Sequence, residues 1–396
     1  MFPLPQGFTW SGVYSGVKSD PQKKDFSLIH CLQPTVAAGV YTQNRVVAAP
    51  VVWDRQRTPS TQIRAIAANS GNANACTGLQ GERDVRRTAE LTAEACGIDP
   101  EQVLILSTGI IGEHLAMDKI AAGIRAAAEG LGASEQHWRD CSDGILTTDQ
   151  ARKVAARAVE FSGGSAALAG MAKGAGMIGP KMATMLSVLM TDAALQPEDA
   201  QNALRSAVND SFNCIRVEGH TSTNDTVFLL SSGAALSEPL QGDDLRRLET
   251  ELRELCIELA KQIPADGEGA SHLMEIRVRG CKTREDAEQI ARAVADGPLV
   301  KTAITGCDPN WGRIVSAAGY AGPQFDPLKM ELHLNGVLLY QAGEPTPHDA
   351  KAVSQSMREQ SEVAILLQFQ EGDAEACCWA SDLTVEYVRF NSEYHT

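Results

Sequence analysis

The stretch GMAKGAGMIGPKMATMLSVLMTDA, residues 170–193, decides how this chain folds. Its first half is Gly-rich, and its second half is an apolar run of β-branched and Met side chains. Gly174, Gly176 and Gly179 satisfy GxGxxG, the spacing of a dinucleotide-binding turn, and Asp192 lies near where an acid would meet a ribose. That reading needs a strand before the glycines and a helix after them. MATMLSVLMTDA reads at least as well as a buried strand, and Lys173 directly before the first Gly is foreign to a Rossmann turn. The plainer reading is a Gly-rich turn that lets two sheets pack closely. The chemical reading centres on Thr184, a Thr after a small residue at the start of an apolar strand. A cut before it would free an α-amine of pKa about 7.7–8.0, a base for its own hydroxyl. In a generic sequence such a Thr is a plain strand residue.

Outward from this segment, helical and strand signals interleave. Helical spacing runs through 84–96 with Gly97 as C-cap, 116–131, 198–212 after Pro197, 242–262, 284–295 after a Thr283 cap, and 348–358. Residues 153–161 and 166–172, joined by SGGS, read as a hairpin. Further strands are expected at 184–193, 225–234, 273–280, 330–336 and 362–370. Helices and hairpins without a strict βαβα rhythm predict an α+β fold with antiparallel or mixed sheets.

Composition narrows the class. The chain has 396 residues, 43% hydrophobic and 21% charged, which excludes disordered, fibrous and coiled-coil proteins. Its net charge of −15 argues against broad nucleic-acid binding. No run of about 18 apolar residues predicts a membrane span, and the N-terminus lacks a signal-peptide pattern. Ten cysteines are scattered without a CxxC pair, which reads as buried thiols in a reducing cytosol. His114, His220 and His272 lack ligand spacing, so no metal site is expected.

The block KGAGMIGPKMATML resembles the self-cleavage signature of the ornithine acetyltransferase (glutamate N-acetyltransferase) family of arginine biosynthesis. Further blocks match that family in order: AAGVYTQNRVVAAPV (37–51), NSGNANACTG (69–78), STGIIGEHL (107–115), LTTD (146–149), SFNCIRVEGHTSTNDTVFLL (211–230), DGEGA (266–270), PLVKTAITGCDPNWGRI (298–314) and SDLTVEYVRFNSEYHT (381–396). The resemblance spans nearly the whole chain. It implies a layered αββα-type fold with mixed sheets and a cytoplasmic, self-cleaving, N-terminal-nucleophile-like enzyme. It also implies cleavage between Ala183 and Thr184, giving an alpha chain 1–183 and a beta chain 184–396. Two copies of each would form a heterotetramer, with neither nucleic acid nor membrane as partner.

The implied reaction moves the acetyl group of N2-acetyl-L-ornithine to L-glutamate through an acetyl-Thr184 ester, with no cofactor. Whether acetyl-CoA is a second acetyl donor, no residue decides. The resemblance places the oxyanion donors at Thr108 and Gly109, and substrate contacts at Thr147, Lys173, Thr184, Glu268, Asn391 and Thr396. Each has a plainer reading: a Gly turn after VLIL (103–106) for the first two, a solvated loop lysine for Lys173, a turn acid for Glu268, a fraying terminus for Asn391 and Thr396. Thr148 competes with Thr147. The Ser222–Asp225 cluster reads as a turn. DPNWGR (308–313) reads as a helix start, and Cys377-Cys378 as core. Lys181 and His220 depart from the family pattern. The alternative reaction is a self-processing amidase or aminopeptidase, in which water accepts the acyl group.

Overall fold

The computed structural model describes residues 2–179 and 185–393, so Lys181, Ala183, Thr184 and Thr396 lie outside the described residues. In chain order the elements are β1 (Phe8–Val13), β2 (Phe26–Tyr41), α1 (Ala49–Arg55), β3 (Ser60–Asn72), α2 (Gly78–Cys96), β4 (Val103–Ile110), α3 (Met117–Glu129) and α4 (Glu135–Gly144). Next come β5 (Lys153–Phe161), β6 (Gly164–Lys173), β7 (Leu186–Ala193), α5 (Pro197–Asn209), β8 (Ile215–Arg216), β9 (Thr226–Leu236) and α6 (Gly242–Ala265). The rest are β10 (Leu273–Cys281), α7 (Arg284–Asp296), α8 (Pro298–Thr305), α9 (Trp311–Gly319), β11 (Glu331–Leu334), β12 (Val337–Gln341), β13 (Glu344–Pro345), α10 (Ala350–Glu359), β14 (Glu362–Gln368), β15 (Ala374–Ser381) and α11 (Val385–Glu393).

The first sheet runs β4-β3-β2-β9-β7-β6-β5, with β1 on β2. Its long strand β2 pairs with β1 and β3 through its first half and with β9 through its second, with register shifts between His30 and Ala37. Such irregularities bend a strand and let it belong to two half-sheets. Side-chain alternation shows the result. Ile66, Ala68, Leu104 and Leu106 of one half share a core with Met171, Val188, Met190, Phe228 and Leu230 of the other. The alternate residues Ala65, Ala67, Val103 and Ile105 face outward, where α2 and α3 cover them. On the opposite half, Leu168, Leu189, Val227 and Leu229 pack under α5 and α6. Period-2 alternation buried on both faces thus gives four layers, α–β–β–α. The layered fold expected from the sequence is the one observed.

A second sheet, β13-β12-β11-β14-β10-β15-β8, is covered on one face by α7, α9 and α10. Helix α6 joins the two sheets, with Leu252, Leu255, Leu259 and Ile263 buried at helical spacing against both. Gly170 in β6 permits this close approach, because a Cβ there would lie 2.7 Å from side-chain atoms of Leu189 and Leu259.

Local signals held where they were strong. The β5–β6 hairpin forms, Thr283 caps α7 by accepting from Asp286 N at 3.1 Å, and Gly97 ends α2 at φ 68°. Asn310 caps α9, as DPNWGR suggested. Helix α2 starts six residues before the expected 84, at Gly78. The cysteines are free, although Cys76 is exposed and Cys377 only partly buried. Among the described residues no helix is long and apolar enough to cross a membrane.

The decisive stretch forms a strand, a Gly-rich turn and a second strand, with β6 and β7 antiparallel from Lys173↔Leu186 onward. A strand therefore stands where the dinucleotide reading needs a helix. The glycines are there for close approach. A Cβ at Gly176 would lie 2.4 Å from the Glu268 carboxyl, and one at Gly179 would lie 2.5 Å from the Gly219 backbone. The boundary 183/184 falls inside this hairpin.

Candidate active site

Where β4, β6 and the Gly-rich turn end, a pocket of about 230 Å³ opens, the size for an amino acid. All the sequence-predicted site residues that lie among the described ones line it: Thr108, Gly109, Thr147, Lys173, Glu268 and Asn391. They come from six separate segments, and parallel or antiparallel pairing of the strand ends brings them together.

Lys173 is the last residue of β6 and is 2% exposed, so the solvated-lysine reading falls. Its Nζ donates to Thr108 Oγ1 at 2.9 Å. Burial lowers its pKa, and Asp149 opposes that shift. Asp149 is the hub beneath it. Its carboxylate accepts from Lys153 Nζ at 2.7 Å, from Gly174 N at 2.7 Å and from Thr147 N at 2.9 Å. Burial works against the charged form, but Lys153 and Lys173 outweigh it and hold the pKa down to about 2. Lys153 also binds Asp266 at 2.6 Å. This buried network fixes the turn, Lys173 and the 147–149 loop as one unit.

Gly109 ends β4 at φ 132°, a backbone conformation that L side chains rarely adopt. Across from it, Asn224 Nδ2 donates to Ala73 O at 2.6 Å and Ser107 O at 2.8 Å, tying the start of β9 to the end of β4. The Ser222–Asp225 cluster, read from sequence as a turn, is thus a wall of the pocket. Asp225 is fully buried, and its Oδ1 accepts from Met185 N at 3.1 Å. Burial pushes its pKa well above the ordinary carboxylate range. The bond anchors the backbone one residue after Thr184.

Glu268 sits opposite, between Thr148 Oγ1 at 2.7 Å and Asn391 Nδ2 at 3.0 Å. Its backbone N donates to Ala175 O at 2.9 Å, which seats it on the Gly-rich turn. Thr147 and Thr148 both line the pocket, and the Thr148 hydroxyl is the one engaged by Glu268. Asn391 lies on α11, not on a frayed tail.

Glu218 is the residue that sequence reasoning missed. It lines the pocket, yet its side chain is only 14% exposed. Burial first, then the neighbouring Glu268, raise its pKa to about 7. A pattern search sees only an acid in a VEGH loop, with no sign of burial.

A stability test follows. An unfolded Glu releases its proton near 4.5, whereas folded Glu218 keeps it to about pH 7. The group's contribution to stability is therefore full below pH 4.5 and is lost as pH climbs through 7. Glu218→Gln has no proton to lose. Its melting temperature relative to wild type should rise steadily between pH 4.5 and 7 in thermal scans. An offset independent of pH would refute the assignment.

Comparisons place the chain among known proteins. A sequence profile described as the ArgJ family matches residues 9–396. A protein of Rhodopirellula baltica described as arginine biosynthesis bifunctional protein ArgJ is 48% identical over 99% of this chain and 96% of its own length. A protein of Bacillus subtilis with the same description is 40% identical over 99% of this chain and 96% of its own. The crystal structure of arginine biosynthesis bifunctional protein ArgJ from Bacillus halodurans superposes with a TM-score of 0.50 at 36% identity. It covers 51% of this chain and 96% of the solved one.

Proposed function

The chain belongs to the ArgJ family, and from that premise we infer that it is a glutamate N-acetyltransferase moving acetyl from N2-acetyl-L-ornithine to L-glutamate in arginine biosynthesis. The observation that carries the reading is the convergence of Thr108, Gly109, Thr147, Lys173, Glu268 and Asn391 on one amino-acid-sized pocket. Thr184 is the nucleophile. Its hydroxyl first attacks the Ala183 carbonyl, an N-to-O acyl shift gives an ester, and water releases the alpha chain 1–183 from the beta chain 184–396. The freed α-amine then takes the hydroxyl proton as Thr184 attacks the acetyl carbonyl, and ornithine leaves as the amine. Glutamate's α-amine attacks the acetyl ester and restores Thr184.

Thr108 and Gly109 are the donors for the oxyanion that forms in each transfer. The Lys173 ammonium, held on Thr108, adds positive charge there. Glu268 holds the substrate's amine, with Thr147, Asn391 and Thr396 as neutral hydrogen-bond partners. The solved Bacillus halodurans chain corresponds to about half of this one, which supports two polypeptides in the mature protein. Two of each half form the assembly, in the cytoplasm, and acetyl-CoA is a candidate second donor.

The amidase reading differs in one measurable respect. Incubation with N2-acetylornithine should give N-acetylglutamate only when glutamate is added, with ping-pong kinetics. Acetate released at the same rate without glutamate would sink the transferase reading.

A further inference from the structure

The two amino acids that share this pocket differ in one respect that the pocket must resolve. Ornithine ends in an ammonium, and glutamate in a carboxylate. A fixed charge at the side-chain end would repel one of them. Among the described residues, Glu218 is placed to escape this conflict. Its two carboxyl oxygens are shut off from bulk water and have no side-chain hydrogen-bond partner there. They nevertheless belong to a residue that lines the cavity.

The surroundings hold it firmly. Val217 N and Gly219 N both donate to Ile178 O at 3.0 Å, strapping residues 217–219 onto the Gly-rich turn. Lys301 of α8 donates to Val217 O at 2.8 Å and to Ser381 O, so its ammonium is committed to backbone carbonyls. Arg216 is engaged with Asp296 at 3.3 Å. The other groups facing the carboxyl are Glu268, Tyr387 of α11, and His220, whose Nδ1 stands 3.8 Å away on an exposed side chain. Lys173 lies in the wall of the same pocket, bonded to Thr108.

Resting on the transferase reading, we propose that Glu218 is the contact that adapts its charge to the substrate side chain. It is ionised opposite the ornithine ammonium and protonated, donating a hydrogen bond, opposite the glutamate carboxylate. Its pKa of about 7 makes both states accessible near neutral pH.

Calorimetry on the wild-type enzyme at pH 7, with L-ornithine and L-glutamate in buffers of different ionisation enthalpy, tests this directly. Ornithine should release about half a proton on binding, and glutamate should take up about half. The amino-acid head is common to both ligands, so its contributions cancel in the difference. Glu218→Gln should abolish that difference. Its KM for N2-acetylornithine at pH 8 should rise about tenfold while its KM for glutamate falls. Equal proton counts for the two ligands, or a difference that persists in the Gln variant, would overturn the proposal. So would both KM values moving together, or a fall confined to kcat, which are the marks of a structural or proton-transfer role. If the Gln variant does not fold, the wild-type counts decide alone. Wild-type enzyme that forms no N-acetylglutamate would defeat the transferase reading, a separate readout from the proton counts.

Discussion

Thr184→Ala is expected to leave a single 396-residue chain where wild type gives 1–183 and 184–396, and to lower transferase activity at least about a thousandfold. The methyl group cannot attack the Ala183 carbonyl, so neither the cleavage nor the acetyl ester can form. The fold should survive the change. Met185 N is still held by Asp225, and β7 still pairs with β6 and β9. Intact mass and a denaturing gel read the cleavage, a thermal scan reads the fold, and N-acetylglutamate formation reads the chemistry. Thr184→Ser, which keeps a hydroxyl, should recover both cleavage and activity in part. Two fragments from the Ala variant would remove Thr184 from its assigned role.

The second large effect is expected at Gly109. A Cβ there would lie 2.3 Å from the Gly71 carbonyl carbon and 2.5 Å from Asn72 N. Both are backbone atoms of β3, and β3 is paired with β4 at this point. They cannot swing aside as a side-chain tip would, so the 108–109 segment must move. Donors aimed at an oxyanion tolerate little displacement, and losing one costs about 100- to 1000-fold in kcat. Gly109→Ala should therefore lose activity on that scale. Gly112→Ala is the control. Its φ of 86° gives the same kind of backbone cost, about 1–3 kcal/mol, but no atom lies within 4 Å of the added methyl. Its stability should fall while most of kcat remains. Equal kcat losses in the two variants would mean that the Gly109 effect is backbone strain rather than displaced donors.

Much of the site was legible because its signals are local. The Gly-rich block, the Thr before an apolar strand, and the STG and GEG turns can be read a few residues at a time. The plain readings offered for Lys173 and Asn391 were overturned by burial and by a helix, respectively. The Ser222–Asp225 run was undervalued for a similar reason. Its composition is that of a turn, and only the packing of β9 against β4 shows that Asn224 and Asp225 frame the pocket. The glycines of GxGxxG were seen correctly as a close-packing device. What they make room for, the Glu268 carboxyl and the Gly219 backbone, lies 40 to 92 positions along the chain.

By itself the sequence determined the strands, helices, caps and the chemically marked Thr, since these depend on side-chain period and on neighbours a turn away. Tertiary structure decided the rest. It bent β2 into two half-sheets, sealed Asp149 between two lysines, and shut the Glu218 carboxyl off from water beside Glu268. Burial and the charges that surround a buried group are properties of distant segments meeting in space. No local pattern carries them, and they set which carboxylates of this pocket stay charged and which can change.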